Sequence, residues 1–246
     1  MLKHLIISII LIQASLFAHC DGCGTATEHK GGSLIGNVKY DGKVPKAKML
    51  KMDADPVCGS SHSEKVLSES FIVDEDMNLK NVLVWLKDVE YDGETTKETA
   101  VLDQKGCIYT PHVLGVMKDQ KILIKNSDAT LHNIHSMATV NEKFNFAMPK
   151  VVKEKEASFS KSEEPFYIKC DVHPWMKAWV LVQDHPYFAV TDENGNFRID
   201  DIPAGTYEVI AWQEKFKMKR SINKTVTIAD SKETTQDFTF VKPSKK

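Results

Sequence analysis

Residues 170–176 read C-D-V-H-P-W-M and place a thiol, an imidazole and a thioether within one short loop. One Cys, two His and a distant axial Met are the donors of a trigonal copper site of the blue type. Cys170, His173 and Met176 supply three of these four donors. A single His or Met in a sequence is usually a packing or surface residue, but the three together at this spacing indicate a soft-metal site.

Strand-like segments flank this loop on both sides. Phe166, Ile168 and Cys170 alternate with more polar neighbours, so the thiol lies on the face of a strand that points into the protein. Apolar residues resume the inward alternation at 178–182. The loop therefore joins two strands of a hairpin, and the site needs one more imidazole from a neighbouring strand.

Two histidines upstream could supply that imidazole. Residues 131–135 read L-H-N-I-H, and they follow a predicted strand at 122–125 and an Asn-Ser-Asp turn. The residues alone leave His132 and His135 both open.

The spacing C-x2-H-x2-M, followed by K-A-W-V-L-V, resembles the ligand loop of the cupredoxins, and the short loop is most similar to the amicyanin type. The resemblance implies a Greek-key cupredoxin sandwich over residues 101–184 that holds one type 1 copper. Its ligands would be His132, Cys170 and His173, with Met176 in the axial position.

In amicyanin-like proteins the first ligand histidine lies in a similar H-N-x-H context. The resemblance therefore favours His132 over His135. It also implies that Asn133 supports the ligand loop and orients the ligands without binding the metal itself.

Four protein donors leave no open position for a substrate, so we expect a carrier of single electrons and no enzyme. The resemblance implies that Cys170 couples covalently to copper and that Met176 tunes the reduction potential. It also places His173 nearest the surface, so redox protein partners are expected to dock near His173. Copper binding for delivery is the alternative function, because further Met and His residues are scattered along the chain.

Period-two alternation dominates the rest of the chain and predicts an all-β fold. Further strands are predicted at 33–40, 81–89, 113–116 and 157–159. Most of 187–240, with an N-G turn at 194–195, resembles a carboxypeptidase regulatory-like domain, which is a smaller transthyretin-type β-sandwich. We assign this second domain to residues 185–241.

The N-terminal β segment at 33–100 has two possible roles. Residues 33–50 resemble the opening strand and turn of the same regulatory-like family, which predicts a split sandwich with 101–184 inserted into it. The alternative is an extension of the cupredoxin barrel.

The N-terminus predicts export. Residues 1–18 combine a basic start, a short apolar run and a small final residue, as in a secretory signal peptide, and a flexible mature N-terminus follows at 19–32. We therefore expect a periplasmic or otherwise exported protein. Attachment of lipid at Cys20, giving a membrane-anchored lipoprotein, is the alternative, and the role of Cys23 stays open.

An oxidising compartment permits disulfides. With Cys170 assigned to copper, Cys58 and Cys107 are predicted to pair. The mature chain has no later segment that could cross a membrane. The 32 basic and 34 acidic residues give a net charge of −2, which predicts no nucleic-acid partner.

Overall fold

The computed structural model describes residues 31–216 and 221–241. The predicted signal peptide, nearly all of the predicted mature N-terminus at 19–32, and Cys20 and Cys23 lie outside these residues. In the described part the fold is all-β, as predicted, apart from one five-residue helix, α1 (Pro56–Ser60). No helix among the described residues is long and apolar enough to cross a membrane.

The strands are β1 Gly32–Asp41, β2 Leu83–Leu86, β3 Ala100–Lys105, β4 Ile108–Thr110, β5 Val113–Met117, β6 Ile122–Asn126, β7 His132–Ser136, β8 Asn145–Met148, β9 Glu154–Ala157, β10 Glu163–Lys169, β11 Lys177–Gln183, β12 Phe188–Val190, β13 Asn196–Ile202, β14 Gly205–Trp212, β15 Ile222–Ile228, β16 Glu233–Thr235 and β17 Phe238–Val241.

Strands β3 to β11 form a central sandwich of two sheets. Their strand orders are β5-β11-β10-β7-β8 and β4-β3-β6-β9. Alternation along each strand sends every second side chain into the space between the sheets. On β10, for example, Phe166 and Ile168 point into this core while Tyr167 between them is only partly buried.

The other strands form a terminal sandwich, with strand orders β13-β1-β16 and β12-β2-β14-β15, and β17 also pairs with β1. Strand β1 runs antiparallel to β13 and parallel to β16 and β17. Among the described residues, β1 therefore has its strand partners after residue 185 and none in the central sandwich. The central sandwich lies in sequence between the two parts of the terminal one.

Strand β2 joins the two sandwiches because it is buried on both faces. Val84 and Leu86 point into the core of the terminal sandwich. Leu83 and Trp85 point the other way, into a smaller cluster with Val113 and Leu181 of the central sandwich. The predicted strand at 81–89 is thus real but shorter than expected.

Residues 49–67, which we call the cap segment, pack on one end of the central sandwich. Met52 and Cys58 are buried in its core, and the segment closes on itself through the Leu50 N–H bond to the Val66 carbonyl at 2.9 Å. A disulfide joins Cys58 to Cys107 with an S–S distance of 2.04 Å, which confirms the predicted pair. The sequence pattern gave no sign of this cap.

Candidate metal centre

Three side chains that can bind a metal converge at one end of the central sandwich. The imidazoles of His132 and His173 and the thiol of Cys170 each offer one ligand atom, and these atoms lie within 4.8 Å of one another. The Nδ1 atoms of the two imidazoles are 2.9 Å apart. The Cys170 Sγ lies 3.8 Å from His173 Nδ1.

A tight loop after β10 presents Cys170 and His173. The Cys170 N–H donates to the Met176 carbonyl at 3.3 Å, and the Met176 N–H donates to the His173 carbonyl at 2.9 Å. Lys169 and Lys177 face each other as the last pair of the β10–β11 ladder. The loop is therefore closed by its own backbone, which fixes the direction of both donor side chains.

The Cys170 sulfur is surrounded by donors. It accepts hydrogen bonds from the His173 N–H at 3.3 Å and from the Asn133 N–H at 3.4 Å. Burial would raise the pKa of this thiol, but the His132 side chain and these N–H groups outweigh it and lower the pKa below its usual value. The surroundings thus shift Cys170 toward the thiolate, which is the form that binds metals.

His132 belongs to the cluster and His135 does not. Strand β7 alternates, so His132 and Ile134 point into the core while His135 points outward. The His135 imidazole pairs with Asp171 through an Nδ1–Oδ2 contact of 2.8 Å and is partly exposed.

Asn133, expected to support the ligand loop, and Met176, expected as the axial ligand, both lie beside the cluster. The Asn133 side-chain oxygen accepts the Asp171 N–H, so Asn133 contacts both the ligand sulfur and the ligand loop. Met176 is buried in the same core as Cys170. The axial role of its sulfur remains a prediction.

His173, which the resemblance places nearest the surface, is itself buried in this structure. Its exposed fraction is only 2%. The cap segment covers it: the His173 Nε2–H donates to Asp55 Oδ2 at 3.0 Å, and the Cys58 Sγ lies 3.6 Å from the same nitrogen. The resemblance could not reveal this, because the cap lies outside the residues that carry it.

Two carboxylates bind the outer nitrogens of the two imidazoles, and neither was predicted from the sequence. Asp55 holds His173, and the His132 Nε2–H donates to Asp128 Oδ2 at 2.9 Å. Burial would lower the pKa of His132, but Asp128 and then Cys170 raise it to about 8. Asp128 lies four residues before His132 in the Asn-Ser-Asp turn, so a local signal existed; Asp55 had none.

The donor set fits a copper ion. With both Nε2 atoms donating to carboxylates, both Nδ1 atoms carry lone pairs, and two lone pairs facing each other at 2.9 Å require a proton or a metal ion between them. Two imidazoles and a thiolate in a buried pocket suit copper or zinc, and the trigonal His2Cys set with a neighbouring Met is typical of blue copper.

A family profile described as polysaccharide lyase family 4, domain II, matches residues 156–236. This is less than half of the chain, and it runs from the end of β9 through the ligand loop into the terminal sandwich. No curated protein matches the chain at a significant level.

Several solved structures resemble parts of this one. A copper-containing nitrite reductase from Thermus scotoductus SA-01 is 16% identical, with a TM-score of 0.33, over 39% of this chain and 25% of its own. A Cu(I) form of an amicyanin mutant is 20% identical, with a TM-score of 0.31, over 41% of this chain and 98% of its own. A purple cupredoxin from Nitrosopumilus maritimus is 22% identical, with a TM-score of 0.29, over 34% of this chain and 99% of its own.

The chain thus spans only a quarter of the nitrite reductase. At these TM-scores the similarities carry no conclusion about chemistry. The functional assignment therefore depends on the geometry of the site itself.

Proposed function

We propose that this chain is an exported blue copper protein that shuttles single electrons through one type 1 copper site. The observation that carries the proposal is the convergence of His132 Nδ1, His173 Nδ1 and Cys170 Sγ in one buried pocket. When bound there, copper would cycle between Cu(II) and Cu(I). We assign no enzymatic activity, because the enclosed donor set offers no position for a substrate.

The residues of the site serve this role by holding one geometry. Cys170 supplies the thiolate, and its two N–H donors tune the potential, since hydrogen bonds to the cysteine sulfur are one of the main controls on such sites. Met176, buried in the same core, would be the fourth residue to hold the metal. The closed backbone of the loop limits rearrangement when the electron moves.

An electron leaving this site needs a route past the cap. The Trp175 ring lies 5.0 Å from the His173 ring, and its Nε1–H donates to the Cys107 carbonyl at 3.0 Å. Trp175 is only partly buried and lines a cleft with Pro174 and Lys177. We therefore infer that a redox protein partner docks near His173 through the Trp175 side of the loop, because His173 itself is covered.

The terminal sandwich would serve as a carboxypeptidase regulatory-like module with a structural role. We also propose a periplasmic or otherwise exported location, with lipid attachment at Cys20 as the alternative. The disulfide Cys58–Cys107 supports export, since such bonds persist in oxidising compartments.

The first test is an absorption and electron paramagnetic resonance spectrum of the mature protein loaded with Cu(II). We expect an intense thiolate-to-copper band and narrow hyperfine splitting. Both should be lost in Cys170→Ala and kept in His135→Ala, the matched control that removes a histidine outside the cluster.

A colourless protein, or an ordinary Cu(II) spectrum that survives Cys170→Ala, would contradict a type 1 site. Fast loss of Cu(I) to a chelator would favour copper delivery, whereas slow loss would favour retention for electron transfer.

The exit route is tested by the electron self-exchange rate, which should fall in Trp175→Ala and persist in Trp175→Phe.

A further inference from the structure

The carboxylate that holds His173 is built into the cap segment. Asp55 is the N-cap of α1, where Oδ1 accepts the N–H groups of Val57 at 2.8 Å and Cys58 at 3.3 Å. Its other oxygen, Oδ2, accepts the Thr130 hydroxyl at 2.9 Å and the His173 Nε2–H at 3.0 Å. One side chain therefore caps the helix and orients a metal ligand.

The carboxylate that holds His132 is hydrogen-bonded in the same way, because it too accepts two backbone N–H groups and one imidazole N–H. Asp128 Oδ1 accepts the Gly106 N–H at 2.7 Å, and Oδ2 accepts the Cys107 N–H at 2.8 Å and the His132 Nε2–H at 2.9 Å. Gly106 and Cys107 form the two-residue turn between β3 and β4, with φ values of 63° and 56°. That left-handed turn points both N–H groups at the same carboxylate.

The disulfide joins these two arrangements. Each carboxylate accepts the backbone N–H of one half-cystine, Cys58 for Asp55 and Cys107 for Asp128, and the S–S bond connects the two. His62 adds a further tie, since its Nε2 lies 2.7 Å from the Gly106 carbonyl. The two imidazoles are thus held from outside by one covalently connected unit.

We propose that Asp55, Asp128 and the Cys58–Cys107 disulfide form a clamp that presets both histidines for metal binding. Each carboxylate fixes the proton on Nε2, which leaves Nδ1 free to bind and aims it at Cys170. Asp55 and Asp128 are positioning residues, because they act on the metal only through the imidazoles. This inference rests on the proposed function for the identity of the metal, but the tautomer it predicts does not depend on electron transfer.

The direct test is nitrogen-15 NMR of histidine-labelled protein loaded with Cu(I), which is diamagnetic. We expect two histidines with a metal-bound Nδ1 and a protonated Nε2, whose protons exchange slowly with water. In Asp55→Ala the Nε2 proton of His173 should exchange faster while that of His132 stays protected, and Asp128→Ala should give the reverse.

Copper affinity provides a second readout. Loss of a carboxylate that orients a metal-bound histidine typically weakens binding about 10- to 100-fold, and we expect this for Asp55→Ala and Asp128→Ala. Asp55→Asn keeps a side-chain oxygen and a good helix N-cap, so it should recover most of the affinity. Asp53→Ala, an exposed neighbour of Asp55, is the control and should bind as the parent protein does.

The outcomes separate the two proposals. If the parent protein has a type 1 spectrum but both alanine variants keep the parental affinity and proton protection, the clamp is refuted and the electron-transfer site stands. If the tautomers and protection behave as expected but the Cu(II) spectrum is not of type 1, the clamp stands and the proposed function fails. Should an alanine variant fail to fold, the asparagine variant and the NMR of the parent protein still decide.

Discussion

The two sandwiches of this chain are built alike but differ in the chemistry of their cores. The buried core of the central sandwich contains the sulfur side chains Met52, Cys58, Cys107, Met148, Cys170 and Met176. Among the described residues, the buried core of the terminal sandwich is aliphatic and aromatic, and the one sulfur side chain that packs against it, Met77, is only partly buried. Soft ligands are thus concentrated in the half that carries the two buried histidines.

This difference shows where function enters a β-sandwich. In both sandwiches, side chains alternate between the core and the outer face along each strand, so the fold itself does not distinguish the two halves. The central sandwich differs at one end, where a strand-end cysteine, a seven-residue loop and the cap segment meet. If this comparison holds, substitutions at the contact between the sandwiches, in the cap segment and at the metal centre should change the stability of each sandwich separately. We call the contact between the sandwiches, formed by the buried cluster around Trp85 and Trp212, the joint.

The largest effect is expected at the joint between the sandwiches. Trp212 is buried there and contacts Trp179 edge-to-face, with ring centroids 4.9 Å apart. Trp212→Ala should cost about 3–5 kcal/mol of unfolding free energy through the cavity it leaves. Urea unfolding followed by far-ultraviolet circular dichroism and by the copper band should then resolve two transitions.

Trp212→Phe, which fills most of the cavity, is the matched control and should cost less. A single transition with an unchanged midpoint in Trp212→Ala would show that this contact does not couple the two halves.

The next largest effect is expected from the disulfide. Replacing Cys58 and Cys107 together with Ser should cost about 2–4 kcal/mol, because the bond closes a long loop in the unfolded chain. The loss of stability should be confined to the central sandwich, because the cap segment packs against that sandwich. Hydrogen exchange should show faster opening of β3 and β4 with little change in β14 and β15; equal acceleration in both sandwiches would contradict the separation.

The ligand loop could be predicted from sequence because its information is local. Alternation on both sides predicted the inward direction of Cys170, and the spacing to His173 and Met176 indicated a soft-metal site. Strand β7 was missed because H-N-I-H-S places polar residues on both faces. His132, Asn133 and Ser136 are buried, and the partly exposed His135 pairs with Asp171, just as the buried His132 pairs with Asp128. No alternation pattern can indicate such tertiary partners.

Long-range features could not be predicted. Asp55 lies 118 residues before His173, and nothing in its neighbourhood indicates a ligand site. The strand predicted at 81–89 was too long because Asn81 and Asp88 adopt left-handed φ values of 62° and 51°, which end the extended run on both sides. The strand predicted at 157–159 lies slightly earlier, at Glu154–Ala157.

A buried carboxylate in the central sandwich should give a smaller, pH-dependent effect. Glu163 accepts the Asn141 N–H at 2.9 Å and the N–H and hydroxyl of Thr139. Burial would raise its pKa, but these donors lower it below the usual value. The contribution of Glu163 to the free energy of unfolding is therefore complete above its unfolded pKa of about 4.5. This contribution is lost as the pH falls through the lower pKa of the folded state.

Glu163→Gln should cost about 1–3 kcal/mol at neutral pH and flatten the acid limb of the stability curve. The exposed neighbour provides the control, since Glu164→Gln should change neither. Thermal unfolding between pH 7 and pH 3 measures both. An unchanged acid limb in Glu163→Gln would show that this carboxylate does not set the acid stability of the central sandwich.

The smallest effect, about tenfold or 1.4 kcal/mol for each pH unit, concerns copper binding to the central sandwich. The pKa of His132 is raised to about 8 in the metal-free protein, where burial lowers it but Asp128 and Cys170 raise it more. Below pH 8 this imidazole carries a proton that copper must displace, so this proton alone should lower Cu(II) affinity about tenfold for each pH unit, in addition to any proton that the Cys170 thiol must lose. Above pH 8 the effect of this proton on the Cu(II) affinity should vanish.

Competition with a chelator of known proton affinity measures the pH at which the affinity stops changing, which we call the break. In Asp128→Asn the carboxylate charge is gone while the burial remains, so the break should move to lower pH. A break that stays near pH 8 in that variant would show that Asp128 does not control the protonation of the ligand.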